Sequence, residues 1–290
     1  MVVNGQSSPA VTVIIPTYNW STVLPYSIGS VLDQTFTDFE LLVIGDRCTD
    51  DSEQVVTSIN DARVTWRNLS VRTKHQSGPN NAGIEAARGE IIAYLGHDDL
   101  WLPHHLEALV AAIQGGASMA HGRTLNVVPG RAPEVFPFRF WPYLPGAWIP
   151  PTAMAHTREL VLRAGGWRPP SETETHAPEA DLWRRMATIG GRPRLLSRLT
   201  NVKFPAARRP GVYKDQPSEE QARWLRRIRQ ADDPERTLLQ LSEGDGPTRT
   251  LARAVRARVR LRTRMQLNRL PMASAAESAA RDRRYKGIEE

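Results

Sequence analysis

VTVIIPTYN, residues 11–19, is the stretch on which the fold turns. Its first five residues are all β-branched, and it lacks the alternation that would leave one face wet, as expected of a strand covered by helices on both sides. Pro16 has no N–H to give to a ladder, so the strand should stop there and pass into a turn. ELLVI at 40–44 repeats the signature, and amphipathic segments fill the intervals. This gives strands at 11–15, 40–44, 63–67, 91–95 and 117–121, with helices at 22–32, 52–59, 81–88 and 102–113. Strands alternating with helices predict an α/β fold, a mostly parallel Rossmann-like sheet flanked by helices.

Past Val127 the pattern degrades. Residues 129–151 hold seven prolines and six aromatics, too many breakers for regular elements, and so long a connection points to function. Helices follow at 157–164 and 180–189, each closed by a glycine pair, Gly165-Gly166 and Gly190-Gly191. From about Pro217 the chain reads as helical and Arg-rich, and between Arg249 and Arg269 stand eight Arg and no acid. That tail is expected to dock on the protein's own body. An anionic membrane surface and a second copy of the chain are the other partners its basic face would suit.

Composition narrows the classes. With 290 residues, 40% hydrophobic and 24% charged, the chain has material for a core and is not a disordered or fibrous sequence. Cys48 is the single cysteine, which excludes an internal disulfide. The first ten residues are polar where a signal peptide would be apolar. No run approaches the ~18–20 apolar residues of a membrane span, so a cytoplasmic location is expected. The net charge is +7, yet only four of the 38 basic residues are Lys: Lys74, Lys203, Lys214 and Lys286. A genome biased toward Arg codons explains this as simply as a polyanionic partner does, so charge alone names no partner.

Chemistry gathers where strands end, the place where open α/β sheets bind ligands. After the first strand, Tyr18 offers a flat face to a base, and Asn19 and Ser21 can cap the next helix. After the second, Asp46 can accept the imide N–H of a pyrimidine, while Thr49, Asp50 or Asp51 caps the following helix with Glu53 as the return partner. After the fourth come Asp98 and Asp99, adjacent acids that repel unless a cation or a helix start neutralises them. Hard oxygen ligands in an open site suit Mg²⁺ or Mn²⁺ shared with a substrate's phosphates.

VTVIIPTYN, QTFTDFELLVIGDRCTDDS, NNAGIEAARGEIIAYLGHDDLWLP and, later, AGGWRPP with PEADLWRRMATIG stand in an order and spacing that resemble the family-2 inverting glycosyltransferases. The likeness covers residues 11–196. It implies the nucleotide-diphosphosugar-binding GT-A fold, with an Arg-rich helical C-terminal extension added here. It also implies a metal-dependent transfer of a sugar from a nucleoside-diphosphate sugar, UDP first among them, to a hydroxyl of a saccharide, a lipid-linked saccharide or a small molecule. Residues 1–125 would form the nucleotide-sugar half, 126–205 the acceptor half and 206–290 the basic extension.

Carried over residue by residue, the resemblance puts Pro16, Thr17, Tyr18 and Asp46 around the nucleoside, with Gly45 where the family has the first acid of a pair. Its Asp-x-Asp-Asp motif falls on Gly96, His97, Asp98 and Asp99, so that Asp98 inherits the Mn²⁺ or Mg²⁺ with Asp99 beside it, and His97 contacts ribose or packs. Arg72 and Lys74 are candidates for base or diphosphate. The acid before the Leu182-Trp183 helix, the general base in similar enzymes, is Glu179. Asp181 is the second candidate, or an ion-pair partner of Arg184 or Arg185. His156 falls where related enzymes shape the acceptor site, although a satisfied structural histidine reads equally well, and Trp148 and Trp167 could stack on a sugar.

Two other readings stand beside this one. A nucleic-acid or polyanion binder would use the Arg-rich tail, but no zinc-finger, helix-turn-helix or RNA-binding motif accompanies it, and no nucleic acid is expected. A catalytically silent sugar-nucleotide-binding protein is made credible by Gly45 and Gly96.

Overall fold

The computed structural model describes residues 8–136, 149–173 and 177–242. The first half of the chain runs β1 (Val11–Thr17), α1 (Leu24–Leu32), β2 (Phe39–Gly45), α2 (Ser52–Thr57), β3 (Val64–Asn68), α3 (Ser77–Ala86), β4 (Ile91–Tyr94), β5 (Leu100–Trp101) and α4 (His105–Gln114). There follow β6 (Met119–Asn126), β7 (Glu134–Phe136), β8 (Met154–Thr157), α5 (Arg158–Arg163), α6 (Pro178–Thr188), β9 (Pro193–Lys203), α7 (Val212–Asp215), α8 (Glu219–Gln230) and α9 (Pro234–Leu241). The nine strands make one sheet in the order β3-β2-β1-β4-β8-β6-β9-β5, with β7 attached to β6. The β3-β2-β1-β4 half is parallel. β8 is antiparallel to both β4 and β6, and β9 runs parallel to β6.

β1 shows why the apolar run folds this way. Val11, Val13 and Ile15 pack with Leu24 and Ile28 of α1, Val56 of α2 and Leu106 of α4. Ile14 points to the other face, among Ile44, Ile92, Tyr94, Ile84 of α3 and Leu182 and Trp183 of α6. Each such side chain buried on folding contributes ~1.5–3 kcal/mol, and both faces of the strand are closed to water. Pro16 acts on one edge only. Pairing with β4 ends at Ile14 and Tyr94, but pairing with β2 continues through Pro16 and Ile44 to Thr17 and Gly45.

Two boundaries differ for physical reasons. α3 begins at Ser77, because Pro79 lies in the first turn, where its missing N–H costs nothing. Residues 100–101 form a strand against β9, so α4 starts only at His105. β8 and β9 are strands that sequence patterning does not reveal.

Beyond β9 the chain returns to the sheet. Trp224, Leu225 and Ile228 of α8 and Leu238 of α9 join Leu100, Leu125, Val202 and Phe204 in a third apolar cluster, and Arg229 bonds Asp33 at 2.7 Å. This part of the expected extension therefore docks on the body. The eight-Arg stretch from Arg249 lies outside the described residues, as does most of the proline and aromatic segment, Trp148 included. Among the described residues no helix is long and apolar enough to cross a membrane.

Candidate active site

The loop after β2 is fixed by neutral donors. Asp46, buried, accepts the N–H and hydroxyl of Thr73 at 2.7 and 2.8 Å on one oxygen and the N–H of Lys74 at 2.9 Å on the other. The carboxylate expected to meet a base thus also holds the Arg72–Lys74 loop in place. Asp50 takes the capping role, accepting from Ser52 of α2 and from the N–H of Ser21 at 3.0 Å, while Asp51 makes no cap bond. Asn19, at φ 39°, braces this loop with its amide, accepting from Thr49 N at 2.8 Å. Gly45 is required here: a Cβ would lie 2.6 Å from Asn68 Oδ1 and 2.7 Å from the Trp66 ring, so the acid of the family pattern has no room.

Tyr18 and Arg72, far apart in sequence, are brought face to face, with the guanidinium 3.8 Å from the ring centroid. Beneath them Thr17 Oγ1 meets His97 Nδ1 at 2.8 Å. His97 lies edge-on to Trp20 and against Tyr213 of α7. Burial drives its pKa down to about 4, so the ring is neutral. Gln216 and Gln221, from either side of the α7–α8 junction, bond Asn19 O and Asp98 O. The segment after β9 therefore forms a wall of the site, which no motif announces.

At the end of β4 the two acids part company. Asp99 is fully buried and accepts from Lys203 Nζ at 2.9 Å, Phe204 N at 2.9 Å and the Thr152 hydroxyl. Expected as a second metal ligand, it instead ties the end of β9 to the β4 loop. Asp98 is buried, and that burial, reinforced by Asp99, raises its pKa to about 7. Lys203 is pulled down by burial but held above the ordinary lysine range by Asp99, Asp98 and Glu179. Those same interactions place Glu179 in electrostatic reach of the site. Lys203 is the functional residue that motif reading misses. Its one signal is that it is one of only four lysines in a chain whose basic residues are mostly arginine.

Glu179, in the first turn of α6, is half-buried, and its Oε2 accepts the Gln76 amide at 3.0 Å across 103 residues of sequence. Asp181 points elsewhere. It is 1% exposed and bonds Arg185 Nε at 2.8 Å and Arg184 at 3.3 Å, and Arg185 in turn donates to Ala164 O and Gly166 O. His156 is fully buried, with Nε2 3.1 Å from Tyr94 Oη and Nδ1 3.0 Å from Thr157 O, and Trp167 sits with Tyr94 and Trp183 in an interior aromatic cluster. Neither presents a face to a sugar.

Among the described residues no three His, Cys, Asp or Glu side chains stand together as a metal-binding set. What remains is the Asp98 carboxylate. One carboxylate suits a Mg²⁺-like ion whose other ligands are substrate phosphates and water, so the residues fit an ion shared with a donor rather than a closed cage.

An open α/β sheet with acids and an aromatic at the carboxyl ends of β1, β2 and β4 has its ligand site there. Residues 12–152 match the family model of glycosyl transferase family 2. UDP-Glc:alpha-D-GlcNAc-diphosphoundecaprenol beta-1,3-glucosyltransferase WfgD of Escherichia coli is 34% identical over 101 residues, which are 35% of this chain and 40% of that protein. The chain spans about two fifths of the length of the curated relatives it matches. Among solved structures, TarS 1–349 of S. aureus in complex with UDP superposes with a TM-score of 0.59 at 19% identity, covering 80% of this chain and 69% of that one. Mannosyltransferase PcManGT from Pyrobaculum calidifontis, in complex with GDP-Man and Mn²⁺, gives 0.56 at 18% identity, covering 95% and 80%. At these identities the likeness establishes the fold.

Proposed function

We propose that this protein transfers a sugar from a nucleoside-diphosphate sugar, UDP being the favoured nucleotide, to an acceptor hydroxyl with inversion at the anomeric carbon. The observation that carries this reading is the Asp98 carboxylate, buried at the end of β4 beside the Lys203–Asp99 ion pair, with Glu179 of α6 bearing electrostatically on the same ammonium. Pro16, Thr17, Tyr18, Asp46 and Arg72 would receive the nucleoside, and Lys74 the diphosphate. Asp98 would hold Mn²⁺ or Mg²⁺, and the ion, when bound, supplies positive charge to the departing diphosphate. Glu179 would take the acceptor hydroxyl proton. The freed oxygen forms its bond to the anomeric carbon as the carbon–oxygen bond to the diphosphate breaks, and the electron pair leaves with the diphosphate. A single displacement inverts the centre.

The UDP complex of TarS and the donor in the name of WfgD support UDP, and the diphosphoundecaprenol in that name supports a lipid-linked saccharide acceptor. PcManGT keeps GDP in play and supports Mn²⁺. With such an acceptor we place the protein in the cytoplasm, in peripheral contact with the membrane or paired with a second copy through its basic tail. Thermal shift with UDP, dTDP and GDP, each with and without Mn²⁺, tests this on wild type and Asp98→Ala. Metal-dependent stabilisation by one nucleotide, absent in the variant, is expected. No stabilisation by any nucleotide sinks the reading. A catalytically silent binder, favoured by Gly45 and Gly96, would bind a nucleotide with Mn²⁺ and never hydrolyse its sugar donor.

A further inference from the structure

Lys203 closes β9 and belongs to none of the motifs that place the chemistry in the sequence. Its ammonium lies 2.9 Å from Asp99 Oδ2, and Asp98 and Glu179 act on it through space. Its position is fixed from three sides: Val127 N donates to its carbonyl at 2.9 Å, the neighbouring Phe204 N–H bonds the other Asp99 oxygen, and its side chain is 19% exposed. One held cation thus pairs with Asp99 and feels the charge of two further carboxylates. Gly96 belongs to the same arrangement. A Cβ there would lie 2.8 Å from Asp99 Oδ2 and 3.3 Å from Asp98 Oδ1, so a further acid cannot enter while Asp99 points at Lys203.

From this geometry we propose that Lys203 is a positioning residue that stands in for the divalent ion until the donor arrives. It neutralises the acid cluster and keeps a lone dication off Asp98, so that the ion enters only with the donor's diphosphate. The inference rests on the function proposed above. An ammonium fixed beside a dication repels it, whereas the negative diphosphate is attracted to both, so the same charge that disfavours the ion alone favours ion and donor together. The loss of the acid at position 96 and the presence of Lys203 then form one electrostatic change.

The test is binding of Mn²⁺ alone, followed by electron paramagnetic resonance of the free ion, in wild type, Lys203→Gln and Lys203→Arg. Gln keeps an N–H for Asp99 without the charge; Arg keeps the charge. Lys203→Gln is expected to bind Mn²⁺ about tenfold or more tightly than wild type, with Lys203→Arg as weak as wild type. The same comparison in an Asp99→Asn background, which removes the carboxylate that the ammonium bonds, should show the same gain even if the single variant folds poorly. Unchanged Mn²⁺ affinity in the Gln variants, or equal behaviour of Gln and Arg, overturns the proposal and leaves Lys203 as a clamp for Asp99. A wild type that binds none of the three nucleotides refutes the proposed function separately, because the Mn²⁺ measurement involves no nucleotide.

Discussion

The β4 loop and the first turn of α6 each carry a pair of acids, and in each pair one member is anchored and the other faces the site. Asp99 is anchored by Lys203, and Asp181 by Arg185. The anchors differ in where they put their charge. Arg185 turns its remaining donors onto the carbonyls of Ala164 and Gly166. Lys203 stays within reach of Asp98 and Glu179. The same device, a carboxylate fixed by a cation, serves geometry alone in α6 and geometry plus charge at β4. The loop after β2 is a third case, in which Asp46 and Asp50 are held by neutral donors only.

Within α6 the two acids should separate cleanly. Glu179→Gln is expected to leave nucleotide binding intact and to lower kcat for transfer by ~100-fold or more, about 2.7 kcal/mol of barrier. Substantial remaining turnover in a donor-consumption assay removes Glu179 as the base. Asp181→Asn should do the reverse. It leaves the buried Arg185 guanidinium without its counter-charge, which costs ~3 kcal/mol of stability in urea unfolding. If the folded Asp181→Asn protein loses turnover as deeply as Glu179→Gln, the division into anchor and base fails. Gly96→Ala sharpens the contrast at β4. The added methyl must displace the clamped Asp99 carboxylate, at ~1–2 kcal/mol, and a thermal melt that matches wild type would show the clamp to be loose.

The parallel half of the sheet was readable because β1 and β2 are apolar on both faces, and Asp46 and Asp98 because they stand just past the ends of β2 and β4. In the antiparallel half the start of β6 is legible at 117–121, but its continuation and all of β9 are hidden by burial of polar groups. β6 buries His121, Arg123 and Thr124, and β9 buries Thr200 and Asn201, so hydrophobic periodicity fails where the strands are most enclosed. β8 spans four residues and includes His156. Lys203 was unreadable for a related reason: its partner is 104 residues away, and only the antiparallel β5–β9 register, which sets Leu100 opposite Val202, brings the two together. The order PEADLW placed Glu179 correctly in the first turn of a helix, but only the fold supplies Gln76 beside it.

The smallest expected effect concerns two imidazoles, one at the site and one in the core. His97 and His156 are both held neutral by burial, each with its pKa lowered to about 4. In the unfolded chain they titrate near 6.5, so above that pH neither costs anything. As pH falls the unfolded state takes up protons that the folded state refuses, and stability drops by ~1.4 kcal/mol per unit per histidine until the folded value is reached. His97 lies among charges that a bound donor would alter, whereas His156 bonds only Tyr94 and Thr157. His156→Phe is therefore the clean probe. It sacrifices those two bonds at every pH, yet between about pH 7 and about pH 5.5 it should lose ~1 kcal/mol less stability than wild type in urea titrations. Parallel losses in the two proteins would mean that the core imidazole takes its proton while folded, through an opening of the β4–β8 seam that the packing around Tyr94 argues against.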